Sequence, residues 1–91
     1  MNETAVRRSK VRIDKFLKNA RIIKRRTVAK EACEQGRVLV NGKTAKPGTE
    51  IEVGDEIEII FGSKPMKIKA EKLLEHVIKD DYKEMYSILN V

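Results

Sequence analysis

The sequence predicts a small α+β domain in which two N-terminal helices pack on a small, curved, mostly antiparallel sheet, with an amphipathic helix at the C-terminus. Three observations support this fold class. Apolar residues have helical spacing near the start of the chain, short alternating segments separated by glycine turns fill the middle, and helical spacing returns at the end. This order of elements over 91 residues is typical of a single α+β domain.

The two N-terminal helices are predicted from apolar spacing and from the residues at their ends. The first helix is expected at about 13–19, because its apolar residues recur at helical intervals: Ile13, Phe16, Leu17 and Ala20. The second helix is expected from about 27 to 35. Thr27 is predicted to cap its start through the side-chain hydroxyl, and Gly36 to end it, because glycine adopts left-handed backbone without strain.

The middle of the chain predicts short strands joined by tight turns. Strands are expected over 37–40, 56–61 and 66–70, with turns at Asn41-Gly42, Pro47-Gly48 and Gly54-Asp55 and a break at 62–65. In the 56–61 strand, the alternation assigns the odd-numbered residues to a buried face and Glu56 and Glu58 to solvent. All four aromatic side chains are expected in the core: Phe16, Phe61, Tyr82 and Tyr86.

The two ends of the chain give different expectations. A C-terminal helix is predicted at about 80–90, because apolar side chains again recur at helical intervals: Tyr82, Met85, Tyr86 and Leu89. An acidic residue at its start, Asp80 or Asp81, interacts favourably with the helix dipole. Residues 1–11 are expected to form a flexible basic arm and not a secretory signal, which would need an apolar stretch after its basic residues.

Charge is divided unevenly between the two halves of the chain. Residues 1–46 carry 14 Lys/Arg and 4 Asp/Glu, whereas residues 47–91 carry 6 and 10, so their net charges are +10 and −4. Positive charge concentrated in one half produces an electrostatic field that attracts and orients a polyanion. Nucleic acid is the expected partner, because cations that neutralise its phosphates release bound counterions and so favour binding. The candidate contact residues are nine cations of the basic half: Arg12, Lys15, Arg21, Lys24, Arg25, Arg26, Lys30, Arg37 and Lys43.

The sequence contains no arrangement expected of an enzyme or a metal site. Cys33 is the single cysteine and is expected to be a small buried side chain, and His76 has no second imidazole nearby in the sequence. Asp14 is expected to pair with a neighbouring arginine. No catalytic residue, metal or cofactor is therefore expected. The lone thiol and the lack of a long apolar run predict a cytoplasmic protein without a membrane partner.

Three segments of the basic half resemble one RNA-binding module. They are residues 12–17 (Arg-Ile-Asp-Lys-Phe-Leu), 24–30 (Lys-Arg-Arg-Thr-Val-Ala-Lys) and 36–43 (Gly-Arg-Val-Leu-Val-Asn-Gly-Lys). Their pattern resembles the domain named for ribosomal small-subunit protein four, hereafter the S4 domain. The resemblance implies an S4-like RNA-binding domain over residues 12–70, followed by an extension over 71–91.

Two further segments resemble the RqcP (YabO-like) family of small stand-alone S4 proteins: residues 23–27 (Ile-Lys-Arg-Arg-Thr) and 85–89 (Met-Tyr-Ser-Ile-Leu). This resemblance implies a ribosome-associated adaptor that is monomeric when free. Such a protein would bind an obstructed large ribosomal subunit that carries peptidyl-tRNA. It would contact large-subunit rRNA, stabilise the P-site tRNA, and work with an RqcH-type factor that extends the stalled chain with alanine.

Three alternative functions stay open at this point. A heat-shock-type S4 protein that rescues free large subunits shares the domain, but its family usually carries a longer basic tail. An accessory domain of an rRNA-modifying enzyme would work with a catalytic domain that this chain lacks. A protein that binds acidic membranes is disfavoured, because no apolar face lies beneath the cations.

Overall fold

The computed structural model describes residues 6–7, 9–77 and 80–89. Along the chain these residues form β1 Val6–Arg7, β2 Val11–Arg12, α1 Ile13–Asn19, α2 Arg26–Glu34, β3 Val38–Val40, β4 Lys43–Thr44, β5 Glu50–Ile51, β6 Glu56–Phe61, β7 Lys64–Ala70, β8 Leu74–His76, a 3-10 helix Asp81–Glu84, and β9 Tyr86–Ile88. The α+β class is confirmed, and so are the two N-terminal helices to within one residue.

The main sheet is antiparallel, with the strand order β4-β3-β6-β7-β9. β3 turns into β4 through Asn41 and Gly42, whose φ angles of 51° and 83° confirm the predicted tight turn. β6 and β7 pair along the whole length of β6 across the turn at 62–63. Two shorter antiparallel pairs, β1 with β8 and β2 with β5, complete the strands of the described residues.

The core lies between the two helices and one face of the sheet. α1 contributes Ile13, Phe16 and Leu17, all fully buried. The alternation of β6 turns Ile57 and Ile59 inward, as the sequence predicts, and Glu56 outward. Burying one large apolar side chain contributes roughly 1.5–3 kcal/mol, so this cluster is the main source of stability in a chain of this size.

The predicted helix over 80–90 is wrong. The segment holds only the short 3-10 helix Asp81–Glu84, followed by β9, while residue 90 lies outside the described residues. β9 pairs with β7, Ile68 opposite Ile88 and Ala70 opposite Tyr86, which supplies hydrogen-bond partners to the backbone of β7. Helix formation is marginal in a segment this short, so tertiary pairing outweighs the local spacing.

Two local expectations are also wrong. Phe61 is 46% exposed instead of buried, because it is the last residue of β6, opposite Lys64 at the end of the hairpin. Thr27 does not cap α2. The Ala29 N–H donates to the Arg25 carbonyl at 3.1 Å, so the helix begins at Arg26, and Arg25 takes the cap position without a side-chain hydrogen bond.

Parts of the expected arm pair with strands of the domain, while Ser9 and Lys10 are exposed. Residues 1–5 and 8 of the arm lie outside the described residues. Val6–Arg7 pairs with β8, and Val11 pairs with Ile51 and is 4% exposed. Val11 therefore belongs to the packed domain.

The predicted break at 62–65 is shorter than expected, because β7 begins at Lys64.

Candidate nucleic-acid interface

A buried carboxylate holds two arginines at the start of α1. Asp14 is 1% exposed, and its Oδ2 accepts a hydrogen bond from Arg12 Nη2 at 3.0 Å. Arg12 Nε donates to Oδ1 at 3.3 Å, so the guanidinium meets the carboxylate with two parallel bonds. Arg26 Nε lies 3.5 Å from Oδ2. The expected pairing of Asp14 with a neighbouring arginine is confirmed, and the second arginine is an addition that the sequence did not predict.

Chain connectivity explains how these side chains meet. Arg12 is the last residue of β2, which is extended because it pairs with β5. Asp14 follows in the first turn of α1. There its Oδ1 also accepts the backbone N–H of Lys15 at 2.7 Å. α1 packs against α2, and α2 begins with Arg26. The carboxylate therefore joins the end of a strand to the first residues of both helices.

An open cleft of about 330 Å³ lies over this cluster, lined by Arg12, Asp14, Arg26, Thr27 and Lys30. The side chains of Arg12 and Arg26 stay 48% and 47% exposed although Asp14 holds them. Three cations exceed one carboxylate, so the cleft is positive. The first turn of α2 adds backbone N–H groups that have no partner within the helix. These features suit the binding of a phosphate group.

The nine predicted cations do not form a single cluster. Arg12, Arg26 and Lys30 line the cleft. Lys15 lies next to Asp14 in α1 and is half-buried. The other five do not line the cleft and are exposed: Arg21, Lys24 and Arg25 in the connection from α1 to α2, Arg37 before β3, and Lys43 in β4. Contact of these side chains with RNA stays a prediction.

Two residues of this surface are not identified by sequence reasoning. Thr27 lines the cleft instead of capping α2, and the Arg-Arg-Thr run at 25–27 is the one pattern that could have indicated it. Tyr82 lies beneath Arg21, with the Arg21 Cζ 4.5 Å from the ring centroid. No sequence pattern links Tyr82 to Arg21, because the contact depends on how the C-terminal segment folds back.

Cys33 confirms the expectation of a small buried side chain. It is 3% exposed, and burial, with smaller effects from the negative charges of Asp14 and Glu34, raises the pKa of its thiol to about 11. The thiol is therefore neutral near pH 7 and a poor nucleophile. Within the described residues, no group of His, Cys, Asp and Glu side chains could hold a metal ion, and no helix has the length and apolarity to cross a membrane.

Known proteins resemble this chain in sequence and in fold. The family model of the S4 domain matches residues 11–57. The RQC P-site tRNA stabilizing factor of Listeria innocua is 56% identical over 79 residues, which is 87% of this chain and 86% of that protein. The heat shock protein 15 homolog of Aeromonas salmonicida is 34% identical over 67 residues, 74% of this chain and 51% of that protein.

The solved structures include a trimeric heat shock protein 15 from Vibrio cholerae. It superimposes with a TM-score of 0.80 at 32% identity, covering 89% of this chain and 83% of that one. The match to the Listeria innocua factor is longer and has a higher identity than the match to the heat shock protein 15 homolog, and it extends beyond the S4 domain toward the C-terminus. The chain therefore belongs to the S4 domain family and, within it, to the family of proteins named RQC P-site tRNA stabilizing factor.

Proposed function

We propose that this protein is a non-catalytic RNA-binding adaptor of bacterial ribosome-associated quality control. It binds an obstructed large ribosomal subunit that carries peptidyl-tRNA and contacts both the large-subunit rRNA and the P-site tRNA. It thereby supports alanine tailing of the stalled chain by an RqcH-type factor. The name shared by its relatives supports the tRNA contact. We further propose that the free protein is a cytoplasmic monomer.

The arginine cluster around Asp14 is the observation that carries this proposal. A-form RNA is recognised largely through phosphates and 2′-hydroxyls, which requires cations at fixed positions on a rigid surface. Asp14 fixes Arg12 and Arg26 in advance, so less side-chain entropy is lost when RNA binds. About half of each arginine stays exposed, and a guanidinium can contact phosphate with two bonds at once.

Purification of the tagged protein from cells, followed by gradient sedimentation, tests the proposal. Wild type is expected to bring down large-subunit rRNA, tRNA and an alanine-tailing factor. A double variant, Arg12→Ala with Arg26→Ala, is expected to lose all three; because it leaves the buried Asp14 without either arginine, its binding is compared at a folded fraction matched to wild type by circular dichroism. The matched control is Lys64→Ala with Lys69→Ala, which removes the same charge from exposed positions on β7. If both double variants lose the same amount of bound RNA, binding depends on net charge and not on the positions of Arg12 and Arg26.

The likeness to heat shock protein 15 favours one second candidate, the rescue of free large subunits. The same purification separates the two functions. Large subunits accompanied by tRNA support the quality-control adaptor, whereas large subunits without tRNA support the second candidate. The absence of ribosomal RNA would contradict both.

A further inference from the structure

Arg21 occupies a backbone position that usually belongs to glycine. It follows the last turn of α1 with a φ of 58°. Its N–H donates to the Lys18 carbonyl at 3.0 Å, and the Ile22 N–H donates to the Leu17 carbonyl at 3.1 Å. These two bonds form a Schellman motif, whose left-handed residue is most often glycine because any Cβ is strained there. An arginine at this position therefore gives up backbone stability, and such strain points to a role for its side chain.

The side chain of Arg21 lies over an aromatic ring. Its Cζ is 4.5 Å from the centroid of Tyr82, within the range of a cation–π contact. Arg21 is nevertheless exposed, and Tyr82 is half-buried. The ring therefore restricts the orientation of the guanidinium, and the guanidinium is still accessible to solvent.

Tyr82 is itself held in place by the elements around it. The 3-10 helix Asp81–Glu84 runs into Met85, which is fully buried. The Met85 carbonyl accepts the backbone N–H groups of Glu71 at 2.8 Å and Lys72 at 3.3 Å. The side chain of Lys72 forms an ion pair with Glu84. The segment that carries Tyr82 is thus attached firmly to the domain.

We propose that Tyr82 is a positioning residue that holds Arg21 for contact with an RNA phosphate, outside the cleft at Asp14. This inference rests on the proposed function. A guanidinium that lies on a ring keeps its N–H groups directed outward in one plane, which is the geometry of a two-bond phosphate contact. The C-terminal segment, although acidic, then contributes to RNA binding through an arginine of the basic half.

Variants of Tyr82 test the positioning role, with binding to bulk bacterial tRNA measured by fluorescence anisotropy. Tyr82→Phe keeps the ring and is expected to bind within about twofold of wild type. Tyr82→Leu keeps an apolar side chain without the ring, and its affinity is expected to fall about two- to fivefold. Equal affinity of Tyr82→Leu and wild type, at matched folded fractions, would overturn the proposal.

Variants of Arg21 separate an RNA contact from a purely structural role. Arg21→Gly and Arg21→Ala both remove the guanidinium, but only glycine also removes the strain of the left-handed backbone. Both are expected to lose about fivefold in affinity and to lower the slope of log affinity against log salt by about 1. The Tm of the glycine variant is expected to be higher than that of the alanine variant. A binding loss that follows the Tm, or an unchanged salt slope, would overturn the phosphate contact.

The Arg12→Ala, Arg26→Ala double variant is the positive control in the same assay. If it loses affinity while Tyr82→Leu and Arg21→Gly do not, this inference fails and the proposed function stands. If none of these variants loses affinity, the proposed RNA surface fails as well.

Discussion

Replacement of Asp14 by asparagine tests the arginine cluster most sharply. The substitution keeps the size and shape of the side chain but removes its charge, and it can place an amide NH₂ toward a guanidinium. One oxygen is still available to the Lys15 N–H. The substitution therefore weakens or breaks the hydrogen bonds and ion pairs that the carboxylate makes with Arg12 and Arg26.

The expected loss of stability follows from burial on each side of these ion pairs. A hydrogen bond to a charged group contributes roughly 1.5–3 kcal/mol, and breaking a buried ion pair costs about 3–5 kcal/mol. Asp14 is buried, but both arginines are about half exposed, so water replaces part of what they lose. We expect Asp14→Asn to lower the unfolding free energy by about 2–3 kcal/mol, a large part of the roughly 5–10 kcal/mol typical of a domain of this size.

Urea unfolding followed by circular dichroism measures this loss directly, and thermal unfolding should show a Tm lower by roughly 10–20 °C. Glu31→Gln is the matched control, because it removes one charge from an exposed position of α2 and should stay within about 0.5 kcal/mol of wild type. A loss in Asp14→Asn no larger than that of Glu31→Gln would refute the idea that this carboxylate organises the cluster.

Three further predictions concern the interface, the core and the thiol. Arg26→Ala should weaken co-sedimentation with large subunits about five- to tenfold and shift the Tm by only a few degrees, because Asp14 keeps Arg12; unchanged co-sedimentation would remove Arg26 from the interface. Phe16→Ala should lower the unfolding free energy by about 3–5 kcal/mol in urea, and a loss under about 1 kcal/mol would contradict its burial. The pKa of Cys33, near 9 when unfolded and about 11 when folded, means that the folded state binds the thiol proton more tightly. Its contribution to stability should be complete below about pH 9 and lost between about pH 9 and 11. The Tm of Cys33→Ala should therefore fall less steeply with pH over that range than the Tm of wild type. Parallel curves of Tm against pH for the two proteins would contradict this.

Elements defined by local spacing could be predicted from the sequence. The apolar intervals of α1 and the Asn41-Gly42 turn depend on neighbouring residues, and both are confirmed. The C-terminal segment could not be predicted in this way. Its spacing also fits a strand, and the partner that decides the outcome is β7, which no local pattern reveals. Phe61 shows a related limit, because alternation gives the face of a strand but not how far the core extends along it.

The composition of the candidate interface was readable from the sequence, but its arrangement was not. The excess of cations in the first half predicted nine candidate residues as a group, and the structure brings three of them, Arg12, Arg26 and Lys30, into one cleft. Which of them meet depends on the packing of α1 against α2, which brings Arg26 to Asp14 beside Arg12. The contact of Arg21 with Tyr82 depends on the return of the C-terminal segment to the end of α1.

The most direct test of the proposed function compares the binding of the purified protein to two preparations of large ribosomal subunits, one carrying peptidyl-tRNA and one stripped of tRNA. We expect tighter binding to the subunits that carry peptidyl-tRNA, and loss of this preference when Arg12 and Arg26 are both replaced by alanine. Equal binding of the wild-type protein to both preparations would contradict the proposed function, and a preference that survives the double substitution would remove Arg12 and Arg26 from the interface.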